Sequence, residues 1–554
     1  MRMPRPSGFN LIAVLALGLW LFCVCPSTVE CRTRNKNMAD RRLMSLYGNT
    51  PHVEALLGRS RPTPDTYKTL RSAFFRYEES RSLGYDLELT DRELQANETI
   101  MAAKLHEYTE GLHTPHLFKP SQHIFDVLEG VRNTELFQLL KKMPKGAVLH
   151  AHDTALCSTD SIIKLTYYDN LWACLQKDDL DFSVLRFAKK QPEALDNCDW
   201  SLLSDVRAKY GAEKVDNYLA EHLTLYPTKK FEDNNAAWST FMDIFGLLDG
   251  IVMYAPAWGD YYYNALQEFY DDGVQYLEFR SLVPTLYDLE GTVYTPLDTV
   301  RIYVETLEKF KQDNPDFIGS RMIYAPLRNT NPEGVLGYIE TLKQIKEQYP
   351  DFLAGFDLVG QEELGKPLGE FIDQLLEVPE DIDFYFHAGE TNWFGSTVDE
   401  NLIDAILLGT KRIGHGFGLV KHPVVLDMLK KLNVAIEVNP ISNQVLQLIT
   451  DFRNHPCAHF FADGYPVVIS SDDPSFWKAT PLTHDYYIAF LGIASQHADL
   501  RLLKKLALNS IQYSSLPTEQ QFEALEKWQA KWDQFIANVN EESSNRGASS
   551  QHLD

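Results

Sequence analysis

The chain has 554 residues, 44% hydrophobic and 23% charged, the composition of a globular protein rather than a disordered or collagen-like one. That length exceeds one small core, so a large domain with appendages is expected. The formal charge of −25 repels phosphate backbones, which argues against nucleic acid as a partner.

At the N-terminus Arg2 and Arg5 precede an apolar run from Leu11 to Cys25, followed by Pro26, Ser27 and Thr28. A positive start, about 15 apolar residues and a small-residue exit make a secretory signal peptide, placed at residues 1–30 and implying a secreted, extracellular protein. The alternative is a membrane anchor, but the run is shorter than the roughly 20 residues a spanning helix needs, and no later segment reaches that length. In an oxidising compartment Cys174 and Cys198, close together in one polar segment, are favoured as a disulfide over two buried thiols. Asn97-Glu98-Thr99 is a glycosylation acceptor sequence, which suits an exposed position.

Residues 31–135 read as helical, with apolar residues at three- and four-residue steps such as Leu94, Ile100, Met101 and Leu105, then Phe125, Leu128 and Val131. Pro62 and Pro64 break this region, so at least two helices are expected in it. The texture changes after residue 136. Short apolar runs at 147–152, 274–280, 321–326, 352–360, 382–390, 412–416, 434–440 and 466–474 each end in polar residues, with helical stretches between them. From the third onward they recur every 20–35 residues or so, the length of one strand–helix unit. The expected fold is therefore α/β: an (α/β)8 TIM-type barrel over 136–540 with its reactive residues at the C-terminal strand ends. The first two strands are separated by far more chain than one crossover helix needs. Residues 158–227, which hold Cys174 and Cys198, read as an inserted domain stapled by the disulfide. Residues 541–554 are polar and read as a flexible tail.

The chemistry gathers at four strand ends. His150 and His152 are two residues apart on the first strand, so both imidazoles face one point; alone, such a pair is more often an ordinary polar edge. His387-Ala388-Gly389-Glu390 ends the fifth, supplying a third imidazole and, past a glycine turn, an acid. The sixth is Arg412-Ile413-Gly414-His415-Gly416, whose glycines permit close approach of another group. The eighth ends in Asp472-Asp473, a pair costly to bury unless a cation or donors meet it. Read together, His150, His152, His387 and Asp472 would hold one Zn2+ per chain and lower the pKa of a water from about 15.7 toward 7. His415 would orient that water and take its proton, while Glu390 would protonate a ring nitrogen of the substrate. The result is hydrolytic deamination.

These motifs resemble the adenosine deaminase superfamily, and the resemblance spans most of the chain. It is carried by Met143-Pro144-Lys145-Gly146, Phe356-Asp357-Leu358-Val359-Gly360, the two histidine strands just quoted, Asn439-Pro440-Ile441-Ser442-Asn443 and Ser471-Asp472-Asp473-Pro474. The signal peptide, helical N-terminus and insertion match its secreted branch, the adenosine deaminase-related growth factors. The resemblance implies conversion of adenosine, and of 2′-deoxyadenosine, to inosine and ammonia. It implies that Glu390 protonates N1, Asp473 binds N7, the N–H of Gly360 meets N3, Asp153 touches the ribose and Trp238 lines the pocket. It further implies a homodimer formed through residues 31–135, growth-factor activity, and a cell-surface receptor for the insertion. Some members carry a histidine after the third strand where this chain has Ala325-Pro326-Leu327-Arg328, so a ribose contact is expected to be missing.

Other features have bland explanations. His455 and His459 have helical spacing but no acidic partner, and His106-Glu107 lacks a metalloprotease's second histidine. Lys189-Lys190 and Lys229-Lys230 read as solvated faces, with a glycan-binding patch as the alternative. Among rival enzymes, binuclear amidohydrolases bridge their metals with a fourth-strand lysine that this chain lacks, and AMP deaminases need a phosphate cradle not evident here. The zinc signature of cytidine deaminases is absent. A growth factor without catalysis should have lost ligands, and every position is filled.

Overall fold

The computed structural model describes residues 61–550 except 177, 178, 183, 196, 197 and 229. The segment read as a signal peptide, and residues 31–60 of the helical region, lie outside the described residues. The chain divides into two compact units at Glu79/Ser80. In the first, the described residues open the helix Pro64–Arg81, in which no residue is buried. Pro64 stands at its first position, where a missing N–H costs nothing, so this proline begins a helix.

The second unit starts with the helix Asp91–His113, held by a reciprocal cap between Thr90 and Glu93. Its buried face carries Ala96, Ile100, Ala103 and Glu107, whereas Leu94 and Leu105 of the predicted stripe point outward. The small alanines let this helix lie against the long C-terminal helix, and Glu93 joins the two. Its carboxylate accepts from Trp532 Nε1 at 2.7 Å and from Lys504 Nζ at 2.6 Å.

Eight strands follow, each overlapping one of the ranges read from the sequence. They are β1 (Gly146–Val148), β2 (Val274–Ser281), β3 (Gly319–Tyr324), β4 (Leu353–Phe356), β5 (Asp383–Phe384, resuming at His387–Ala388), β6 (Arg412–His415), β7 (Ala435–Val438) and β8 (Val467–Ile469). Each pairs in parallel with the next. The ring closes through a bridge between Ala151 and Asp472, where His152 N donates to Asp472 O and Asp472 N donates to His150 O, both at 3.1 Å. Outside β2 and β3 the regular ladders are shorter than the apolar runs, because the chain leaves the ladder where functional side chains begin.

The long interval between β1 and β2 holds the expected insertion. Strands Leu185–Phe187, Leu171–Leu175 and Asp199–Leu202 form an antiparallel sheet in that order, and Cys174 is bonded to Cys198. Two further helices, Asn234–Val252 and Ala255–Asp271, lead back to β2.

The C-terminal reading needs correction. The helix Thr518–Ser550 runs through the first ten residues of the stretch read as a flexible tail. Its apolar face, with Phe535, Ile536 and Val539 buried, anchors it, and Lys142 pairs with Glu542 at 2.7 Å, so the polar sequence beyond continues a helix already nucleated.

Glu93→Ala strips the partner from Lys504 and Trp532 and is expected to cost about 3 kcal/mol in urea unfolding at neutral pH. Burial opposes the charge on Glu93, but bonds from Lys504, Thr90 and Trp532 outweigh it and hold its carboxyl below the usual value. A depressed carboxylate stabilises above its unfolded pKa, so the gap between wild type and variant should shrink as acid protonates Glu93.

Candidate active site

The alternation of β1 continues past its ladder, so His150 and His152 emerge on one side. His387 arrives from β5 and Asp472 from the turn after β8. One ligand atom from each of the four lies within 4.8 Å of all the others. Nε2 of His150 and of His152 stand 3.2 and 3.1 Å from Asp472 Oδ1. His150 Nε2 and Asp472 Oδ1 are nonetheless buried without a hydrogen bond, polar atoms turned toward a common point. Three imidazoles and a carboxylate are the donor set of a zinc site, so these residues fit a divalent metal. Gly414 makes the crowding possible: a Cβ there would sit 3.0 Å from His150 Cε1 and 3.2 Å from His387 Cα. His415 (φ 60°) and Asp472 (φ 61°) occupy left-handed backbone, costing roughly 1–3 kcal/mol each, which the surrounding structure must sustain.

The far nitrogens of two ligands are also held. His150 Nδ1 is 2.7 Å from Glu437 Oε2, and His387 Nδ1 is 2.6 Å from Asp357 Oδ2. Those carboxylates belong to a fully buried ionic cluster within the barrel. Arg280 donates to Asp357 and Glu437, both at 2.8 Å; Arg412 donates to Glu437 at 2.5 Å and to Glu278 at 2.6 Å. Burial opposes charge on Asp357 and Glu437, yet His387 and Arg280 at the first, and the two arginines at the second, hold both carboxyls far below their ordinary range. Burial likewise pushes His387 down to about 3, against the pull of Asp357, leaving a neutral imidazole able to bind a cation.

Glu390 and His415 lie beside the four ligands, with His415 Nδ1 3.4 Å from Glu390 Oε1 and Nε2 3.8 Å from Asp472 Oδ2. Burial, reinforced by Asp472 and Glu362, raises the Glu390 pKa well above normal, so the acid keeps its proton. Burial holds His415 neutral, despite Asp472. Asp473 is raised by burial and then by Asp472 and Glu390. Glu390 Oε1 and Asp473 Oδ1 are buried without a hydrogen bond. Both line a cavity of about 290 Å³, together with Gly360, Asp153 and Trp238. Gly360 has φ +104°, a conformation that favours glycine. Asp153 accepts from Tyr303 Oη at 2.9 Å. Ala325 and Leu327 present apolar walls where a histidine contact was expected to be missing. Asn97 lies away from this site, with its Oδ1 accepting from Leu500 N at 3.0 Å.

Several supporting residues escaped sequence reasoning. Glu437 is a lone acid in Ala435-Ile436-Glu437-Val438, and Glu278 and Arg280 are two apart in a wholly buried strand. The signal was there, since charges in an apolar strand must be paired. Glu362 has no such signal, yet it accepts from the N–H groups of Gly389 and Glu390 at 3.2 and 2.9 Å and so sets the acid's loop. His455 contacts Asn443 Oδ1 at 2.9 Å, and Asn443 Nδ2 lies 3.2 Å from His415, so this histidine steadies the site from behind.

The architecture is that of a parallel α/β barrel with a histidine–aspartate site suited to a metal. The match with known proteins narrows this. Residues 19–140 match the Adenosine/AMP deaminase N-terminal family model, and residues 201–531 match the Adenosine deaminase model. An adenosine deaminase of Lutzomyia longipalpis is 50% identical over 480 residues, covering 86% of this chain and 94% of the relative. Adenosine deaminase 2 of Homo sapiens is 38% identical over 471 residues, covering 83% and 92%. The chain belongs to the adenosine deaminase family, in its adenosine deaminase-related growth factor branch, and is a hydrolase. Among solved structures, an N6-mAMP deaminase of Arabidopsis aligns with a TM-score of 0.52 at 15% identity, over 71% of this chain and 99% of that one. An amidohydrolase from Burkholderia ambifaria with bound Zn gives 0.52 at 16%, over 73% and 94%. Both show the same fold.

Asp357→Asn and Glu437→Gln should each weaken retention of a divalent metal about 10–100-fold, through lost orientation of His387 and His150. Metal loss to a chelator, followed alongside circular dichroism, separates this from unfolding.

Proposed function

We propose that this chain is a zinc-dependent enzyme that deaminates adenosine, and 2′-deoxyadenosine, to inosine and ammonia. The observation that carries the proposal is the convergence of His150, His152, His387 and Asp472 beside a buried, protonated Glu390. The names of the family's characterised members, and the Zn bound in a protein of the same fold, support it.

Zinc, when bound by the four ligands, supplies a nucleophilic hydroxide equivalent near neutral pH. The chain's residues do the rest. Asp473 and the Gly360 N–H bind the purine edge, turning N1 toward Glu390. Glu390 donates its proton there and makes the adjacent carbon electrophilic. His415, neutral and behind the ligands, takes the proton of the attacking water and can return it to the departing amine. Trp238 closes one side of the cavity and Asp153 faces the sugar.

The setting belongs to the same proposal. The pattern of residues 1–30 and the bonded Cys174–Cys198 pair support secretion, with Asn97 as a glycosylation site. The resemblance supports a homodimer through residues 31–135, growth-factor activity alongside catalysis, and a receptor or glycan partner for the insertion at 158–227. Among the described residues, no helix is long and apolar enough to cross a membrane.

Glu390→Ala is expected to lower adenosine turnover about 10²–10⁴-fold while zinc content stays at one per chain, measured by absorbance and metal analysis. Retained turnover would remove Glu390 as the proton donor. Because Glu390 must be protonated and its pKa is raised, turnover should hold at neutral pH and decline on the alkaline side. Expression in animal cells should release into the medium a chain beginning near residues 27–32 that elutes as a dimer; an uncleaved cellular product would refute secretion.

A further inference from the structure

The helix Asn234–Val252 forms one wall of the cavity with Trp238, Phe241, Met242 and Phe245, an aromatic and aliphatic surface suited to a flat base. The next residue on that face is Asp249, one turn beyond Phe245, and it lines the same cavity. Its side chain is exposed to solvent. Among the described residues no side chain or backbone group donates to its carboxylate, and the charge it senses is that of Asp153. Of the five acids lining the cavity, Glu390, Asp472 and Asp473 belong to the reacting end, and Asp153 is engaged by Tyr303 Oη and Thr154 N. Asp249 alone has neither a partner nor a place in the chemistry. Met253, Leu282, Pro284 and Leu327, which line the same cavity, are apolar and offer a sugar nothing to bond.

We propose that Asp249 is a specificity-determining residue of the cavity, accepting a hydrogen bond from a sugar hydroxyl of the nucleoside. This rests on the deaminase reading. With the base held at Glu390 and Asp473, the sugar must extend toward the end of the cavity where Asp153 and Asp249 stand. A carboxylate acceptor suits a hydroxyl, and charge-assisted bonds are the stronger kind. Asp249 keeps solvent access at one side while the cavity wall partly desolvates it; that desolvation and then the charge of Asp153 push it up to about 6, which leaves it ionised at neutral pH. The contact also does what the apolar Leu327 cannot.

The test is a residue-by-substrate cycle on the full zinc-loaded enzyme. Wild type, Asp249→Ala and Asp249→Asn are assayed with adenosine and with its 2′-, 3′- and 5′-deoxy analogues. Asp249→Ala should raise KM for adenosine about tenfold, with kcat falling less. The penalty should vanish for the one analogue lacking the partner hydroxyl. Asp249→Asn, whose amide oxygen still accepts, should recover part of the loss. An adenosine KM within twofold of wild type in Asp249→Ala overturns the proposal, and so does an equal loss on all four substrates. Failure of wild type to deaminate adenosine would instead overturn the deaminase reading, so the two failures are distinct.

Discussion

The site depends on a buried ionic cluster that fills the barrel beneath it. Arg280 and Arg412 bind Asp357, Glu278 and Glu437, all fully buried, and two of these acids reach up to hold the far nitrogens of His387 and His150. Buried charges are costly, and removing one member would strand the others. In exchange, the imidazoles are locked in tautomer and orientation, as ligands must be before an ion arrives. The three acids and two arginines leave one net negative charge under the histidines, which favours a cation above them.

The same constraint explains where the backbone is strained. His415 and Asp472 adopt left-handed conformations, and Gly414 leaves space that any side chain would fill. Such departures persist where the surroundings over-determine them. Here the ring-closing bonds between His150, His152 and Asp472 bind the first strand end to the last, so the ligands are joined by main chain as well as by a shared focus. Water exclusion follows: burial, reinforced by the nearby carboxylate of Asp472, keeps Glu390 an acid.

Recognition is built from different material. The cavity wall comes from the helix Asn234–Val252, which lies between the insertion and β2 and belongs to no regular strand–helix unit. The barrel thus supplies the chemistry, and this added segment supplies the surface that a nucleoside meets. Separation of that kind lets the wall vary without disturbing the ionic cluster.

The eight strands were legible in the sequence, as were the three histidines and the aspartate that converge and the glutamate beside them. Strand periodicity places alternate residues on one side, and His150/His152, His387, His415 and Asp472 stand at the ends of apolar runs where a barrel gathers its site. The polar run at 541–550 misled, because a helix anchored by Val539 propagates through residues that would not start one. Which charges pair was decided only by the tertiary structure. Glu437 meets Arg280, Arg412 and His150 from three other strands or strand ends, and Asp249 shares a cavity with Asp153 and senses its charge. Sequence order carries no record of such neighbours, since closing the barrel is what brings them within a hydrogen bond or a few ångströms of one another.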